Sequence, residues 1–467
     1  MLKGRVTAAT RVPLDNPLWG HWLTFTRDQL SRLEQLATYG DWVPLRFPPL
    51  RAVLVNHPAL VEDLLVTHNR DFVKPLSIQR LRSLLGNGLL TSEGDLWRRQ
   101  RRLMQPAFHR ERVSAYTTSM VELGVRAVAG WSDGEERDIH QEMMRLTLAV
   151  TGKTLFGADL SGDAGEVGAA LAVALTALEK RIESFGVLLP DAVPTPTNLR
   201  LRRAVRTLDR LVYRLIAERR ASGADHGDLL ALLLAARDEQ DGTGMTDQQL
   251  RDEVMTLVLA GHETTALALT WAWYLLAQHP TAEARLSAEL DQVLGERLPS
   301  GSDLPRLTYA GWVVAESLRL YPPAWAVERA AIRDTEIGGR RVRRNSTFLM
   351  SPWTIHRDPR WFERPLAFEP ERWADDLARR LPRFAYFPFG GGPRQCIGNT
   401  FALTEATLLL ATIGQRFRLG LTPGQEVVPA PAITLRPRGG LRMRLQRRQP
   451  VPRLPVATAP SAASGAG

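Results

Sequence analysis

The sequence of 467 residues contains a single cysteine, Cys396. One thiol excludes internal disulfides, and it excludes zinc or iron–sulfur sites that need several cysteines of the chain. Long apolar runs are also absent. No stretch reaches the roughly 18 apolar residues of a membrane span, and the N-terminus lacks the apolar core of a signal peptide. We therefore expect a cytoplasmic protein in a reducing compartment, or a thiol that is kept for chemistry.

The sequence also lacks a concentrated block of basic residues. Lys and Arg outnumber Asp and Glu by 60 to 50, a net charge of +10, but the arginines are spread along the chain. Such a balance fits nucleic acid, an anionic membrane surface or an acidic protein partner. A nucleic-acid binder usually shows a basic stripe or a recognised module. We therefore predict no nucleic-acid partner.

Helical periodicity dominates the chain. Hydrophobic residues make up 44% and charged residues 24%, which suits a large globular core. The longest predicted helix, about 32 residues, starts at a capping box of Thr246 and Gln249 and ends near Pro280. Short strands are predicted in WVPLRF and RAVLVNHP, and ITLRPRGGLRMRL is predicted to form a hairpin around two glycines.

We see no internal repeat and no linker before the last segment. The prediction is one mainly α domain over residues 1–448, a large helical unit with small β-sheets. Residues 449–467 are rich in Pro, Ala, Ser and Gly, and we expect a disordered tail there.

The cysteine lies in the stretch FGGGPRQCIG, and a predicted helix follows at once. A lone cysteine is often only a small buried core residue. Here three glycines allow the backbone to approach a ligand closely. The helix N-terminus and a nearby arginine favour a thiolate. The alternative to a buried core residue is therefore a cysteine that binds a metal. Among metal sites, a chain with one cysteine can still supply a single thiolate ligand to haem iron.

The loop resembles the haem-binding signature of the cytochrome P-450 family at Phe389, Gly392, Arg394, Cys396 and Gly398. The resemblance implies the cytochrome P-450 fold and haem b as the cofactor. Cys396 would be the iron ligand, and Phe389 and Arg394 would contact the haem.

Two further motifs resemble the structural network of the same family. ESLR contains Glu316 and Arg319, which share one helix face, and FEPERW contains Arg372. Taken alone, a Glu-x-x-Arg pair is nearly always solvated. The resemblance implies a buried network of these three residues that holds the cysteine loop in place.

The longest predicted helix contains AGHETT, where Ala260 and Thr264 share one face. A threonine in a helix can simply bond the i−4 carbonyl, and Glu263 could simply be solvated. The resemblance implies an oxygen-binding groove at this place. Thr264 would then position protons at bound dioxygen, and Glu263, with solvent behind it, would resupply them.

Four residues are expected beside the haem propionates. GDLWRRQRRLM places Trp97 and Arg101 one helical turn apart, although such a crowd of arginines is normally a solvated face. The resemblance adds Arg329 and Arg394 as propionate partners. Bidentate guanidinium groups suit carboxylates.

The implied activity is that of a haem-thiolate monooxygenase, which inserts one oxygen atom of O2 into a C–H bond. Ala260, Ala324 and Ile433 match pocket positions of the family, so we expect a long apolar substrate. LRLYPPAW and ITLRPRGGL resemble carotenoid-hydroxylating members, and fatty acids are the second candidate. A peroxygenase, an oxygen-independent isomerase and a haem sensor or carrier without turnover are the alternative functions. The presence of the acid–alcohol pair Glu263 and Thr264, which would serve oxygen activation, disfavours these alternatives.

The expected electron donor is a ferredoxin or flavodoxin with its reductase, supplied by NAD(P)H. Arg98, Arg99 and Arg102 are expected to reach the surface where this acidic partner docks. The apolar loop GVLLPDAVP is expected at the pocket mouth, where it could guide an apolar ligand or touch a membrane surface.

Overall fold

Helices dominate the computed structural model, as the apolar periodicity predicts. The model describes residues 12–16, 18, 20–25, 28–158, 164–182, 193–222, 228–237 and 242–448, so the predicted tail and most of GVLLPDAVP lie outside the described residues. In chain order the α-helices are α1 (Trp22–Phe25), α2 (Gln29–Ala37), α3 (Pro58–Glu62), α4 (Leu76–Gln79), α5 (Arg82–Leu85), α6 (Gly94–Met104), α7 (Arg110–Ala129), α8 (Ile139–Phe156), α9 (Ala164–Ile182), α10 (Pro196–Ser222), α11 (Leu229–Ala235), α12 (Asp247–Gln278), α13 (Pro280–Val293), α14 (Thr308–Leu320), α15 (Pro352–Ile355), α16 (Leu377–Arg380) and α17 (Asn399–Gly414).

Short strands form small sheets at the edges of the helical body. They are β1 (Trp42–Phe47), β2 (Leu50–Val55), β3 (Phe72–Val73), β4 (Glu136–Asp138), β5 (Val327–Ala331), β6 (Thr335–Ile337), β7 (Arg340–Val342), β8 (Thr347–Met350), β9 (Phe417–Leu421), β10 (Pro429–Pro431), β11 (Leu435–Pro437) and β12 (Arg442–Arg447). The five-stranded sheet has the order β1–β2–β8–β5–β3, and its β2–β8 pair is parallel. The other sheets are β4–β12–β9, β6–β7 and β10–β11. Both predicted N-terminal strands are confirmed as β1 and β2.

The long helix α12 is the central element of the core. Its capping box is present: the Thr246 hydroxyl accepts from the Gln249 N–H at 3.2 Å, and the Gln249 side chain accepts from the Thr246 N–H at 2.9 Å. The helix spans 32 residues and packs against α8, α10, α14 and α17. Because neighbours surround it, most of its faces are apolar, as the sequence predicts. None of the helices in the described ranges combines the length and the apolar character that crossing a bilayer requires.

The predicted hairpin around Gly439 and Gly440 is wrong in its pairing. Both glycines have positive φ, 76° and 87°, so they do form a turn. However, β11 pairs with β10, whereas β12 pairs with β9 and β4. The cause is Asp138, whose Oδ1 accepts the Leu441 N–H at 3.0 Å and so ties the chain after the turn to the start of α8. The short strand β4 that precedes α8 was not predicted either.

Candidate active site

The cysteine loop is packed so closely that glycine is required in it. Gly392 has φ +66°, and a Cβ there would lie 1.9 Å from the carbonyl oxygen of Leu65. The Cys396 N–H donates to the Phe389 carbonyl at 3.0 Å, and α17 begins directly after Gly398. The loop therefore presents the cysteine at the N-terminal end of α17, as the sequence predicts.

The thiol of Cys396 is exposed, but not to the outer surface. Burial raises its pKa, while the Gly398 N–H and the Arg101 guanidinium act in the opposite direction. The expected support for a thiolate is thus present, but desolvation outweighs it. A side chain that is both exposed and desolvated faces a cleft inside the protein.

The middle of α12 is also uncovered. Ala260 is exposed, and Gly261 and Thr264 are half-exposed, although the turns on either side of them are buried. The Thr264 hydroxyl donates to the Ala260 carbonyl at 2.6 Å. This local bond to the i−4 carbonyl is the alternative to a catalytic role that the sequence allows for this threonine. Ala260 and Thr264 therefore share one uncovered face, as their spacing predicts.

The prediction that Glu263 has solvent behind it is wrong. Its side chain is 1% exposed, and its Oε1 accepts from the Thr434 hydroxyl at 2.5 Å and from the Arg436 Nε at 2.6 Å. Arg436 also pairs with Glu179 of α9 at 3.1 Å. The helix brings Glu263 to the face next to the uncovered one, where Thr434 and Arg436 of the β11 segment pack against α12. A buried carboxylate is stable there because a guanidinium and a hydroxyl satisfy it.

Thr265 points to another buried acid, which sequence reasoning missed. Glu405 of α17 is 0% exposed, and burial raises its pKa well above the usual range. The nearby Thr265 hydroxyl offsets part of that rise. The two adjacent threonines therefore face different surroundings, one the cleft and the other the core.

Aromatic and cationic side chains from α6 lie beside the cysteine loop. The Arg394 guanidinium lies over the Trp97 ring, 4.0 Å from its centroid, and donates to the Ser92 carbonyl at 2.9 Å. Arg101 donates to the Gln395 carbonyl at 2.8 Å, next to the cysteine. Arg394 also forms an ion pair with Glu93. The predicted residues Trp97, Arg101 and Arg394 are thus brought together.

Positive charge is in excess at this end of the cleft. Burial, together with the neighbouring Arg394 guanidinium, lowers the pKa of Arg329 to about 10 and that of Lys74 to about 7. Glu93 is the carboxylate that opposes this effect in both cases. Lys74 donates to the Leu89 carbonyl at 3.2 Å. A cluster with too few anions fits a ligand that carries carboxylates of its own, as the two haem propionates would.

Lys74 was not predicted from the sequence. It lies in the short connection between β3 and α4, in no recognised motif. The one signal in the sequence is that lysine is rare in this chain, which has only four of them.

The network behind the cysteine loop is present and buried. Glu316 and Arg319 are both 0% exposed and bond through two contacts, of 2.9 and 2.8 Å. Arg372 Nε donates to Glu316 Oε1 at 2.8 Å, and Trp373 Nε1 donates to Oε2 at 2.9 Å. This Glu-x-x-Arg pair is therefore not a solvated surface pair.

His356 connects this network to the cysteine loop. Arg319 donates to the His356 carbonyl at 2.9 Å, and the His356 Nε2 accepts the Phe387 N–H at 2.9 Å. Tyr386 adds a bond from its hydroxyl to the Ala315 carbonyl at 3.0 Å. The segment that leads into Phe389 is therefore tied to α14 at two neighbouring residues.

The three predicted pocket residues lie on segments that meet. Leu435 N–H donates to the Pro323 carbonyl at 3.0 Å, and Trp325 Nε1 donates to the Ala432 carbonyl at 2.9 Å. These bonds place Ala324 and Ile433 on adjoining segments, and both are half-exposed. Thr434 then joins the same segment to α12 through Glu263. The three positions are uncharged.

A shallow groove lies on the outer side of α6. It has a volume of about 460 Å³, and it is lined by Trp97, Arg98, Arg101, Arg102, Gln105, Pro106 and His109. Arg98 and Arg102 are exposed, as expected. Arg99 is instead directed to the chain at Thr243 and Gly244, whose carbonyls accept from it at 3.1 and 3.2 Å.

The donor set fits haem better than a metal ion held by the protein alone. No group of three or more His, Cys, Asp or Glu side chains in the described part of the chain could hold a metal ion. One exposed cysteine can supply a single ligand to iron that a porphyrin already holds. The adjacent cations suit its propionates.

Comparison with known proteins agrees with this interpretation. The cytochrome P-450 family profile matches residues 11–441. Cyclooctatin synthase of Streptomyces melanosporofaciens is 43% identical over 438 residues, covering 93% of this chain and 95% of that protein. Pentalenene oxygenase of Streptomyces avermitilis is 37% identical over 440 residues, covering 93% and 96%. The plant protein LUTEIN DEFICIENT 5 of Arabidopsis thaliana is 32% identical over 454 residues, covering 91% and 75%.

Solved structures show the same fold. The heme domain of cytochrome P-450DA superposes with a TM-score of 0.86 at 29% sequence identity, covering 96% of this chain and 99% of that one. Fold and family thus agree along the chain, and the protein belongs to the cytochrome P-450 family of monooxygenases.

Proposed function

We propose that this monooxygenase binds haem b through Cys396 and hydroxylates an apolar, terpene-derived substrate. The observation that carries the proposal is the exposed but desolvated Cys396 in a cleft with an excess of buried cations. Bound haem would supply the activation of O2 and the transfer of one oxygen atom into a C–H bond.

Haem binding would be shared among residues of different elements. Cys396 would ligate the iron, and Phe389 would support the loop from the core side. Trp97, Arg101, Arg329 and Arg394 would contact the propionates, together with Lys74. The Glu316, Arg319 and Arg372 network would hold the loop rigid and would have no contact with substrate.

Proton supply would involve the uncovered face of α12. The Thr264 hydroxyl would hold a water in the cleft and orient its proton, beside the small side chain of Ala260. Glu263 would resupply the proton. Because Glu263 is bonded to Arg436 and Thr434, its carboxyl group would have to turn or exchange partners first.

The substrate proposal rests on the relatives and on the apolar lining. Two curated relatives bear the names of cyclic terpene products or precursors, cyclooctatin and pentalenene. Ala260, Ala324 and Ile433 offer small or apolar surface and no charge. A cyclic terpene hydrocarbon or alcohol is therefore the first candidate. A carotenoid is the second, because one relative's name refers to lutein, and a fatty acid is the third.

A binding screen would separate these candidates. Cyclic terpene alcohols, β-carotene and long-chain fatty acids are added to the purified protein, and the Soret band is followed. We expect the terpene to shift the band and to give a product heavier by one oxygen atom. Tight binding of small polar ligands only would refute all three substrates. Equal turnover with hydrogen peroxide in place of O2 and an electron donor would instead indicate a peroxygenase.

The cysteine assignment has its own test. The ferrous carbon monoxide complex should show the red-shifted Soret band of thiolate ligation, and Cys396→Ser should lose it. A variant that keeps the band would show that another residue ligates the iron.

We propose that electrons come from NAD(P)H through a cytoplasmic ferredoxin or flavodoxin and its reductase. The α6 groove, with exposed Arg98 and Arg102, is the proposed docking surface. Reduction should slow as salt rises, and Arg98→Glu with Arg102→Glu should slow it further. A rate that ignores both changes would contradict this docking surface.

A further inference from the structure

Helix α10 is strongly amphipathic, and its inner face is fully committed to the core. The buried residues recur every three or four positions, and each is less than 10% exposed. They are Leu201, Ala204, Leu208, Leu211, Val212 and Ile216. The opposite face is consequently directed away from the protein over most of the 27-residue helix.

That outer face is almost uniformly basic. The helix contributes seven exposed arginines to it against one exposed acid, Glu218, and at the C-terminal end Arg220 pairs with Asp247 of α12 at 2.5 Å. The arginines are Arg200, Arg202, Arg203, Arg206, Arg210, Arg214 and Arg220. The other acid of the helix, Asp209, is bonded to the buried Arg251 at 2.6 Å, so it does not neutralise this face.

The ion pairs in the middle of the basic face are weak. The nearest contacts of Arg210 with Glu166 and of Arg214 with Glu218 are both 4.0 Å, and the side chains of both arginines are more than half exposed. Exposed pairs of this kind contribute little free energy. These guanidinium groups can therefore exchange their present partners for a stronger anionic one.

Apolar side chains are interspersed with these charges. Leu199 is 43% exposed and Tyr213 is 39% exposed, and their positions on the helix fall within the arc of the arginines. The adjoining helix α9 adds Val173, which is 45% exposed, and Lys180. A surface of arginines with scattered Leu, Val and Tyr suits contact with a layer of anionic headgroups, in which the cations supply the attraction and the apolar side chains add contact area.

The surface lies on the outer side of helices that pack beside the active-site helix α12. α9 and α10 pack against each other, and Glu179 of α9 contacts Arg436, which holds Glu263. An occupant of the α10 face would therefore sit on the outside of these helices. It would leave the α6 groove free for the electron donor.

We propose that the outer face of α10 binds the phosphate headgroups of an anionic membrane surface. Guanidinium groups bind phosphates through paired hydrogen bonds, and their long stems allow the apolar side chains to reach the headgroup layer. A second copy of the chain is a poor occupant, because the same basic face would repel itself and the chain has a net charge of +10. An acidic protein is the alternative that the experiment distinguishes.

The test is sedimentation of the haem-loaded protein with vesicles. One set contains phosphatidylcholine alone, and the other about three parts phosphatidylcholine to one part phosphatidylglycerol. Binding to the anionic vesicles is expected, and it should weaken as salt rises. Each arginine near an anionic surface raises partitioning roughly fivefold, so the variant Arg203→Gln, Arg206→Gln, Arg210→Gln should bind about 100-fold more weakly.

A matched variant controls for net charge. Arg341, Arg343 and Arg344 are exposed at the end of the β6–β7 ribbon, and their replacement by Gln removes the same three charges elsewhere. This control should keep most of the binding. Equal loss in both variants, or no binding of the unmodified protein to anionic vesicles, would overturn the proposal.

Three further readouts distinguish membrane binding by α10 from damage to the active site and from docking of a protein partner. Turnover of a detergent-dispersed substrate and the carbon monoxide spectrum should be unchanged in the α10 variant, so vesicle binding is read independently of the proposed function. If the α10 variant loses a salt-sensitive complex with the electron-donor protein while vesicles bind neither form, the partner is an acidic protein and the membrane proposal is wrong.

Discussion

The ion pair between Glu263 and Arg436 allows a direct test of how the buried acid is kept charged. Arg436 donates to Glu263 Oε1 from Nε at 2.6 Å and from Nη2 at 2.5 Å, and Thr434 donates to the same oxygen. Arg436→Gln keeps a polar side chain of smaller size but removes the positive charge. Glu263 would then retain only the Thr434 hydroxyl as a described partner.

The magnitude follows from the burial of the two side chains. Glu263 is 1% exposed and the Arg436 side chain is 23% exposed, so the carboxylate cannot gain solvent without moving the chain around it. Breaking a buried ion pair from one side costs about 3–5 kcal/mol. Because Arg436 is partly exposed and Thr434 remains, we expect the low end, about 3 kcal/mol at pH 8.

The assay is chemical denaturation of the haem-loaded protein at pH 8, with a double-mutant cycle. Glu263→Gln in the Arg436→Gln background removes one of the two carboxylates that lose their cation, the other being Glu179, and should recover part of the lost stability. Coupling of electron use to product formation is measured in parallel, and Arg436→Gln should change it because the acid is no longer held. Arg438→Gln, which lies two residues further on, serves as the control.

Two results would refute this reasoning. One is an Arg436→Gln variant as stable as the unmodified protein at pH 8. The other is a double variant no more stable than the single one, since the penalty would then not come from the unpaired carboxylate.

Three other predictions concern the cleft and its surroundings. Thr264→Ala should keep its stability, but it should lower the product formed per electron pair several-fold and release hydrogen peroxide. Thr265→Ala should keep the coupling of electron use to product and lose about 1–3 kcal/mol of stability. Reversed effects of the two substitutions would contradict this prediction. Lys74→Gln should speed haem transfer to apomyoglobin roughly tenfold, with exposed Lys153→Gln as the unchanged control. Burial raises the pKa of Glu253 to about 8, so its ionisation opposes folding as pH rises from about 4.5 to 8. Glu253→Gln should therefore gain stability over the unmodified protein at high pH and equal it near pH 4.

Much of the fold could be predicted because its signals are local. The capping box at Thr246 and Gln249 involves four consecutive residues, and α12 begins and ends where local chemistry indicates. The pairing of β11 and β12 could not be predicted in this way. It depends on Asp138, some 300 residues earlier in the chain, whose carboxylate holds the Leu441 N–H.

The candidate site shows the same division. The spacing of Ala260 and Thr264 on one helix face follows from helical geometry, and the structure places both at the cleft. The environment of Glu263 depends instead on Thr434 and Arg436, which no local pattern connects to α12. The sequence position of Glu263 therefore indicates on which face of α12 its side chain lies, but it does not indicate which residues pack against that face.

The arrangement also separates the two kinds of charge that the chemistry needs. The cations Lys74, Arg329 and Arg394 lie at the loop end of the cleft with too few carboxylates, so bound propionates would relieve their mutual repulsion. The acid Glu263 lies where the β11 segment packs against α12, with its cation already supplied by Arg436. Loading with haem would thus stabilise the first cluster without drawing on the second. Arg436 also bonds Glu179 of α9, so the cation that satisfies Glu263 is shared with a second, mostly buried carboxylate.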